Sequence, residues 1–228
     1  MNIPQHIGFI LDGNRRFAAA KGRSKLYGHR QGVNNVKVIT REAFKQGVKI
    51  VTMFAFSTEN WRRDSDEVEY LMKLLSTFIS REVKSLARQG IKLCFFGRLN
   101  DFTPAIKKEI AAATCLTKDG QSGQLNICLS YGGRDEIVRA VKKIIKQGTA
   151  AAEVNEELIS QQLDTVGLAD PDLIIRTSGE QRLSGFLTWQ SVYSELYFSP
   201  KFWPEFSPDD LALAIKEYNR RQRRFGAN

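Results

Sequence analysis

The sequence is poor in the features that would assign a class at a glance. It holds three cysteines, Cys94, Cys115 and Cys128, an odd number without metal-ligand spacing and each beside apolar residues. That excludes a disulfide scaffold and suits small buried hydrophobes in a reducing, cytoplasmic compartment. Two histidines, His6 and His29, make neither a zinc site nor a serine-type triad. No apolar run approaches the ~18 residues a membrane helix needs. The start of the chain, Met1 to His6, lacks the basic and apolar stretches of a signal peptide. Neither GxxxxGK[ST] nor GxGxxG occurs, so a P-loop and a dinucleotide fingerprint are both excluded.

What is present suits one globular unit spanning residues 1–228, with 42% apolar and 26% charged residues. The net charge of +9 is concentrated. Residues 13–41 carry Arg15, Arg16, Lys21, Arg23, Lys25, Arg30, Lys37 and Arg41 with no acid, and Arg220, Arg221, Arg223 and Arg224 follow near the C-terminus. Such clusters point to an anionic partner, whether nucleic acid, a phosphorylated small molecule or a membrane surface. On charge alone, a solvated basic face explains them equally well.

Continuous apolar runs at 7–11, 50–56, 91–96, 125–129 and 173–175, with a last candidate at 195–198, suit strands of a parallel sheet covered on both faces. Amphipathic stretches at 31–46, 64–88, 103–114, 135–147, 155–163 and 207–223 suit helices between them. Asp64-Ser65-Asp66-Glu67 is a fitting helix start. The expected fold is α/β, a single domain with a mostly parallel central sheet flanked by helices.

Ligands of open α/β sheets bind beyond the carboxyl ends of the strands. Four such ends here carry Asp12-Gly13-Asn14-Arg15-Arg16, Ser57 to Arg63, Ser130 to Asp135, and Arg176 to Arg182. Glycine for close backbone approach, hydroxyls, and forked arginines are the chemistry of a phosphate site. A lone Asp12 among arginines suits one Mg²⁺ held by a carboxylate and substrate phosphates, with Glu195 on the last strand as a candidate second carboxylate. Each residue alone has a plainer account: Asp12 as a turn residue, His29 as a half-buried histidine, Trp61 and the Phe-rich strands as core. The plainer accounts do not explain the convergence.

His6 to Ala18, with its Asp12-Gly13-Asn14-Arg15-Arg16 centre, resembles the signature of the cis-prenyltransferases, the undecaprenyl diphosphate synthase family. Gly28-His29, Phe56 to Arg63, Asn126 to Arg134, Asp172 to Ser184, Trp189-Gln190 through Phe198, Phe202-Trp203-Pro204 and Arg223 to Gly226 resemble the family's further blocks in order, so the likeness spans essentially the whole chain. It implies an Mg²⁺-dependent enzyme that condenses isopentenyl diphosphate with an allylic diphosphate, farnesyl diphosphate being the expected primer and undecaprenyl diphosphate the expected product. It further implies a hydrophobic product tunnel, a homodimer, and peripheral membrane contact without nucleic acid. The alternatives are a short-chain (C10–C20) Z-prenyl diphosphate synthase and, on the charge alone, a basic nucleic-acid-binding protein.

By resemblance, Asp12 is the metal ligand and a catalytic residue, and Asn60 is the residue to which proton removal is ascribed. Gly13, Asn14, Arg15, Arg16, Phe17, Lys25 and His29 would serve the allylic diphosphate. Arg176, Arg182, Leu183 and Ser184 would serve isopentenyl diphosphate, and Ser57, Thr58, Glu59, Trp61 and Arg63 the substrate and the loop after the second strand. Glu195 would assist the metal from across the dimer, and Arg224-Phe225-Gly226 would complete the partner's site. Arg15, Phe17, Lys25, Gln181 and Gly185 depart from common choices (Gly, Trp, Arg, His and Asn), which leaves product length open. Small Ala55 suits a long product.

Overall fold

In the computed structural model, which describes residues 2–221, six strands form one wholly parallel sheet. They are β1 (His6–Ile10), β2 (Ile50–Ser57), β3 (Ile91–Phe96), β4 (Gly123–Tyr131), β5 (Leu173–Arg176) and β6 (Glu195–Phe198). Each lies within two residues of an expected apolar run. The order across the sheet is β3-β4-β2-β1-β5-β6. All five residues of β1 are buried, as expected of a strand covered on both faces. Ile7 and Phe9 face one core layer and Ile10 the other; each such side chain removed from water contributes about 1.5–3 kcal/mol.

The helices are α1 (Asn14–Ala20), α2 (Lys25–Lys45), α3 (Ser65–Arg88), α4 (Pro104–Thr117), α5 (Gly133–Lys146), α6 (Glu156–Gln162) and α7 (Pro208–Arg220). Buried residues of α2, α3, α4 and α7 form the larger layer against the sheet. Phe186, Leu187 and Tyr131 anchor the smaller layer on its other side. Among the described residues, no helix is long and apolar enough to cross a membrane.

Three expectations are corrected here. Helix α1 matches none of the expected amphipathic stretches; it places Arg15 and Arg16 at the positive helix end, against the usual charge preference. Packing holds it instead: Phe17 stacks on Tyr27. Gly28 lets α1 approach so closely that a Cβ there would lie 2.0 Å from the Asn14 carbonyl oxygen. Helix α2 begins at Lys25 rather than near Gln31, because Ser24 caps it by accepting from the Tyr27 N–H. Cys115 is exposed on the outer face of α4, whereas Cys128 is buried and Cys94 half-buried. The far end of the expected last helix, beyond residue 221, lies outside the described residues.

The chain leaves β1 toward β2 on one side and reaches β5 and β6 on the other. The sheet therefore switches direction between β1 and β5, where a crevice opens beyond the strand ends. Next to it, β2 is irregular: Phe54 pairs with Cys128 and Phe56 with Leu129, which leaves Ala55 without a partner on β4. A bulge of this kind turns a side chain out of the ladder. Ala55 is exposed in the cleft wall.

Candidate active site

Asp12 follows β1 by two residues, and its backbone is fixed from three directions. Its N–H donates to Thr177 Oγ1 at 3.1 Å, and that hydroxyl donates back to the Asp12 carbonyl at 2.7 Å. The Trp203 N–H donates to the same carbonyl at 2.9 Å. Gly13 then turns the chain with φ +104°, and a Cβ there would meet Ser178 Oγ and the Phe202 ring at 2.8 Å each. Only glycine fits that turn.

The Asp12 carboxylate takes Arg176 Nη2 at 2.9 Å and Arg16 Nη2 at 3.2 Å. Arg176, 4% exposed, also donates through Nη1 to Ser184 Oγ at 2.8 Å and to the Arg182 carbonyl. Glu180 bridges Arg16, at 3.0 Å, and Arg182. Arg182 and then Arg16 hold its carboxyl below the usual range. The loop that carries these groups contains Ser178, Ser184 and Leu187 at positive φ. Such conformations cost of order 1–3 kcal/mol each and collect where a ligand is clamped.

The facing wall comes from α2, β2 and the start of α3. Asn60 Oδ1 accepts the Ser57 N–H at 3.1 Å, so its carboxamide orientation is set. Glu67, wholly buried, gathers the surrounding cations. Its Oε1 accepts from His29 Nε2 at 3.0 Å and Arg63 Nη1 at 3.2 Å, and its Oε2 lies 3.0 Å from Lys25 Nζ. Lys25 also pairs with Asp64. Burial pushes His29 below the ordinary histidine value, as do the charges on Arg63 and Arg15, against the pull of Glu67.

Between these walls lies a cleft of about 510 Å³. Of the expected site residues, Asp12, Gly13, Asn14, Arg15, Arg16, His29, Ser57, Asn60, Arg63 and Arg176 line it together. Arg15 has no ion-pair partner among the described residues. Next to the cleft, Val33, Val36, Ala55 and Leu71 also wall an apolar cavity of about 80 Å³, closed by Phe56, Met72, Leu74, Leu75 and Phe78. The cleft and this cavity are two separate voids with shared walls, and the expected tunnel is not seen among the described residues.

Other expected residues lie elsewhere. Phe17 is buried between α1 and α2. Thr58 and Glu59 sit in the short 3-10 turn Thr58–Arg62, with Glu59 exposed. Trp61 packs on Phe56 and Phe102 with ring centroids 5.0 and 5.4 Å away and donates to Ser130 Oγ at 2.8 Å. Lys25, Arg182 and Ser184 reach the cleft's residues through Glu67, Glu180 and Arg176. Leu183 packs into the smaller core layer.

Two expected groups stand apart from the cleft within one chain. Glu195 opens β6 level with Leu173 and Ile7, five residues and roughly 16 Å short of Asp12 along the sheet. Within one chain it cannot supply Asp12 with a second carboxylate; it instead accepts from Arg221 at 2.8 Å. The end of β4 is the second. Gly133 N–H donates to the Gly185 carbonyl at 2.7 Å, and Tyr131 OH to Glu136 Oε2 at 2.6 Å. Tyr131-Gly132-Gly133 therefore braces the loop behind Ser184 rather than lining the cleft. Arg224-Phe225-Gly226 lies outside the described residues.

The sequence pattern does not mark Glu67 and Glu180 as site residues. The available signal was spacing on α2, where Lys25 and His29 stand four residues apart on one face, with Arg63 just ahead of α3 and Glu67 in its first turn.

Comparison with known proteins agrees with this geometry. Residues 10–226 match the family described as "Putative undecaprenyl diphosphate synthase". The chain is 46% identical to an isoprenyl transferase of Clostridium perfringens, over 98% of this chain and 90% of that one. It is 42% identical to the ditrans,polycis-undecaprenyl-diphosphate synthase ((2E,6E)-farnesyl-diphosphate specific) of Vibrio parahaemolyticus, over 99% and 91%. Its fold superposes on the lavandulyl diphosphate synthase of Lavandula x intermedia, solved with dimethylallyl diphosphate, with TM-score 0.95, 34% identity and 99% coverage of both chains. An α/β sheet that delivers arginines and one aspartate to its switch point, together with likeness over nearly the full length, places the chain in the undecaprenyl diphosphate synthase family of prenyltransferases.

Proposed function

We propose that this chain condenses isopentenyl diphosphate with an allylic diphosphate, farnesyl diphosphate being the primer, in an Mg²⁺-dependent reaction that builds undecaprenyl diphosphate. The observation that carries this reading is the junction at Ala55, where a cleft lined by Arg15, Arg16, Arg63 and Arg176 meets an apolar cavity between α2 and α3. A charged head beside an apolar tail is what a prenyl diphosphate requires.

The cations counter the charge of two diphosphates in one pocket and stabilise the charge that develops on the departing one. Arg15 and Arg16 would serve the allylic diphosphate, and Arg176, Arg182 and Ser184 the other. The donor set fits Mg²⁺, which is commonly held by one or two carboxylates with substrate phosphates. Asp12 would hold it, in place of the ion pairs it now makes to Arg16 and Arg176. Bound there, Mg²⁺ would neutralise diphosphate charge.

Asn60 already spends its carboxamide oxygen on the Ser57 N–H. Its Nδ2 hydrogens are left to donate, and an amide is a poor base. Asn60 thus orients a diphosphate, and a diphosphate oxygen takes the proton lost in condensation. The growing apolar chain would enter the cavity beyond Ala55, gaining about 0.8 kcal/mol per buried CH₂.

A second copy of the chain would cover Val192 and Tyr193, which are 71% and 68% exposed just ahead of Glu195. In such a homodimer Glu195 would approach the partner's metal. The basic surface suits peripheral contact with an anionic membrane.

Incubation with farnesyl diphosphate, labelled isopentenyl diphosphate and Mg²⁺, followed by separation of products by length, tests the reading. A ladder ending at undecaprenyl length is expected. Products stopping after one or two additions would move the chain to the short-chain branch. No incorporation with farnesyl, geranyl or dimethylallyl diphosphate would overturn the assignment.

A further inference from the structure

Glu67 is 0% exposed although it lies in the first turn of a charged helix start. Burial pushes its carboxyl up, but hydrogen bonds from Lys25 and His29 and the charge on Arg15 outweigh this and hold it below the ordinary range. Glu67 is therefore ionised and can only accept. The ring nitrogen that meets it, His29 Nε2 at 3.0 Å, must carry a hydrogen. Burial and the nearby Arg63 and Arg15 keep the ring neutral at pH 7, despite Glu67. A neutral ring with its hydrogen on Nε2 leaves Nδ1 as a lone-pair acceptor, and this ring lines the cleft.

Arg63 donates to the same oxygen, Oε1, through Nη1 at 3.2 Å, so its other N–H groups remain for a ligand. Four elements face this centre: Glu67 on α3, Arg63 just ahead of it, Lys25 on α2 with His29, and Arg15 on α1. We propose that Glu67 is a positioning residue for prenyl transfer. It fixes His29 as the Nε2–H tautomer and seats Arg63 on the same oxygen, presenting an acceptor and a donor side by side to the substrate. The inference rests on the prenyltransferase reading of the cleft. A purely structural tie between α2 and α3 would use the same contacts and the same tautomer, yet its loss would leave kcat and the pH–rate profile unmoved.

Nitrogen-15 NMR of the histidine rings in the native protein decides the tautomer without any substitution. There are only two rings, and a His29→Asn sample assigns them. The expected result is a single Nε2–H form for His29 at pH 7.5; an Nδ1–H form or an averaged pair of tautomers would overturn the inference. Glu67→Gln is expected to lower kcat about tenfold or more, as loss of an orienting partner does. It is also expected to shift the acidic limb of the pH–rate profile to lower pH, because the anion that supported protonation of His29 is gone. A lower Tm with kcat and the limb unchanged would show a structural tie only, and overturn it. Should Glu67→Gln not fold, Arg63→Lys tests the other half: a loss in kcat with the His29 tautomer intact is expected, and native kcat would overturn the pairing. No transfer by the native enzyme overturns the reading of the cleft, whereas a mixed tautomer in an active enzyme overturns this inference alone.

Discussion

Two glutamates sit at almost the same depth on opposite sides of the sheet, and they are held in opposite ways. Glu67, 0% exposed, is surrounded by Lys25, Arg63 and His29, and its carboxyl is drawn below the ordinary range despite burial. Glu136, 1% exposed, accepts from the Tyr131 hydroxyl, the Gln190 amide at 3.1 Å and the Asp164 N–H at 2.9 Å, all neutral donors. Burial pushes its carboxyl up, and the nearby Asp164 adds to that. Depth alone therefore says little about role. A buried acid among cations gathers and orients them beside the cleft. A buried acid among neutral donors is a brace.

The sharpest break in that comparison is expected at Asp12. Asp12→Asn keeps the shape but removes the charge that offsets Arg16 and Arg176. Incorporation of labelled isopentenyl diphosphate should fall by roughly 10²–10³-fold, the usual scale for removing one electrostatic group at a reacting centre. Tm should hardly move, since Asn can still accept from Arg176. Loss of fold instead of activity would mean that Asp12 is a brace like Glu136.

Glu136→Ala should do the reverse. It strands the Tyr131 hydroxyl, the Gln190 amide and the Asp164 N–H, at about 1–3 kcal/mol for each buried group left unpaired. Thermal unfolding should report a loss of about 3 kcal/mol or more. Because Gln190 and Gly185 belong to the loop that carries Ser184, KM for isopentenyl diphosphate should rise by more than kcat falls. An effect on kcat alone would contradict the bracing role.

His6 extends the comparison to a base among neutral partners. It is 1% exposed, bonded to Thr52 Oγ1 and the Ala169 carbonyl at 2.7 Å each, and burial pushes it down to about 4. The unfolded chain takes up a proton near pH 6.5 and the folded chain only near 4, so stability falls as pH drops through that window. The contribution lost is at most about 3 kcal/mol. Unfolding of the native protein against His6→Asn at pH 7, 5.5 and 4 should show the native curve falling more steeply. Parallel curves would place the proton elsewhere.

All six strands were legible in the sequence, because strands buried on both faces must read as apolar runs. The phosphate chemistry of the β1, β2 and β5 ends was legible for a similar reason, as a cleft needs glycine and arginine wherever the sheet delivers them. Helix α1 was not, since Phe17 on Tyr27 and the approach at Gly28 outweigh its unfavourable end charges. The distance of Glu195 from Asp12 within one chain was not legible for want of register: its type suits a metal, but its pairing with Leu173 puts it at the opposite end of the strands. Glu67 read as one more acid at a helix start because nothing in Asp64-Ser65-Asp66-Glu67 says which carboxylate turns inward.

Trp61 tests the border between the two regions, and with the smallest effect. Its place beside Asn60 suggests a substrate contact, yet its ring lies against Phe56 and Phe102, and its Nε1–H closes a chain through Ser130 to Asp101 Oδ2 at 2.6 Å. Trp61→Phe preserves an aromatic ring there and removes the hydrogen bond. The cost should be about 1 kcal/mol, read as a Tm lower by roughly 2–4 °C for a chain of this size. If the ring serves the core, kcat/KM should stay within about threefold, since RT ln 3 is near 0.6 kcal/mol. A tenfold rise in KM at unchanged Tm would instead put the indole on the substrate and return Trp61 to the cleft.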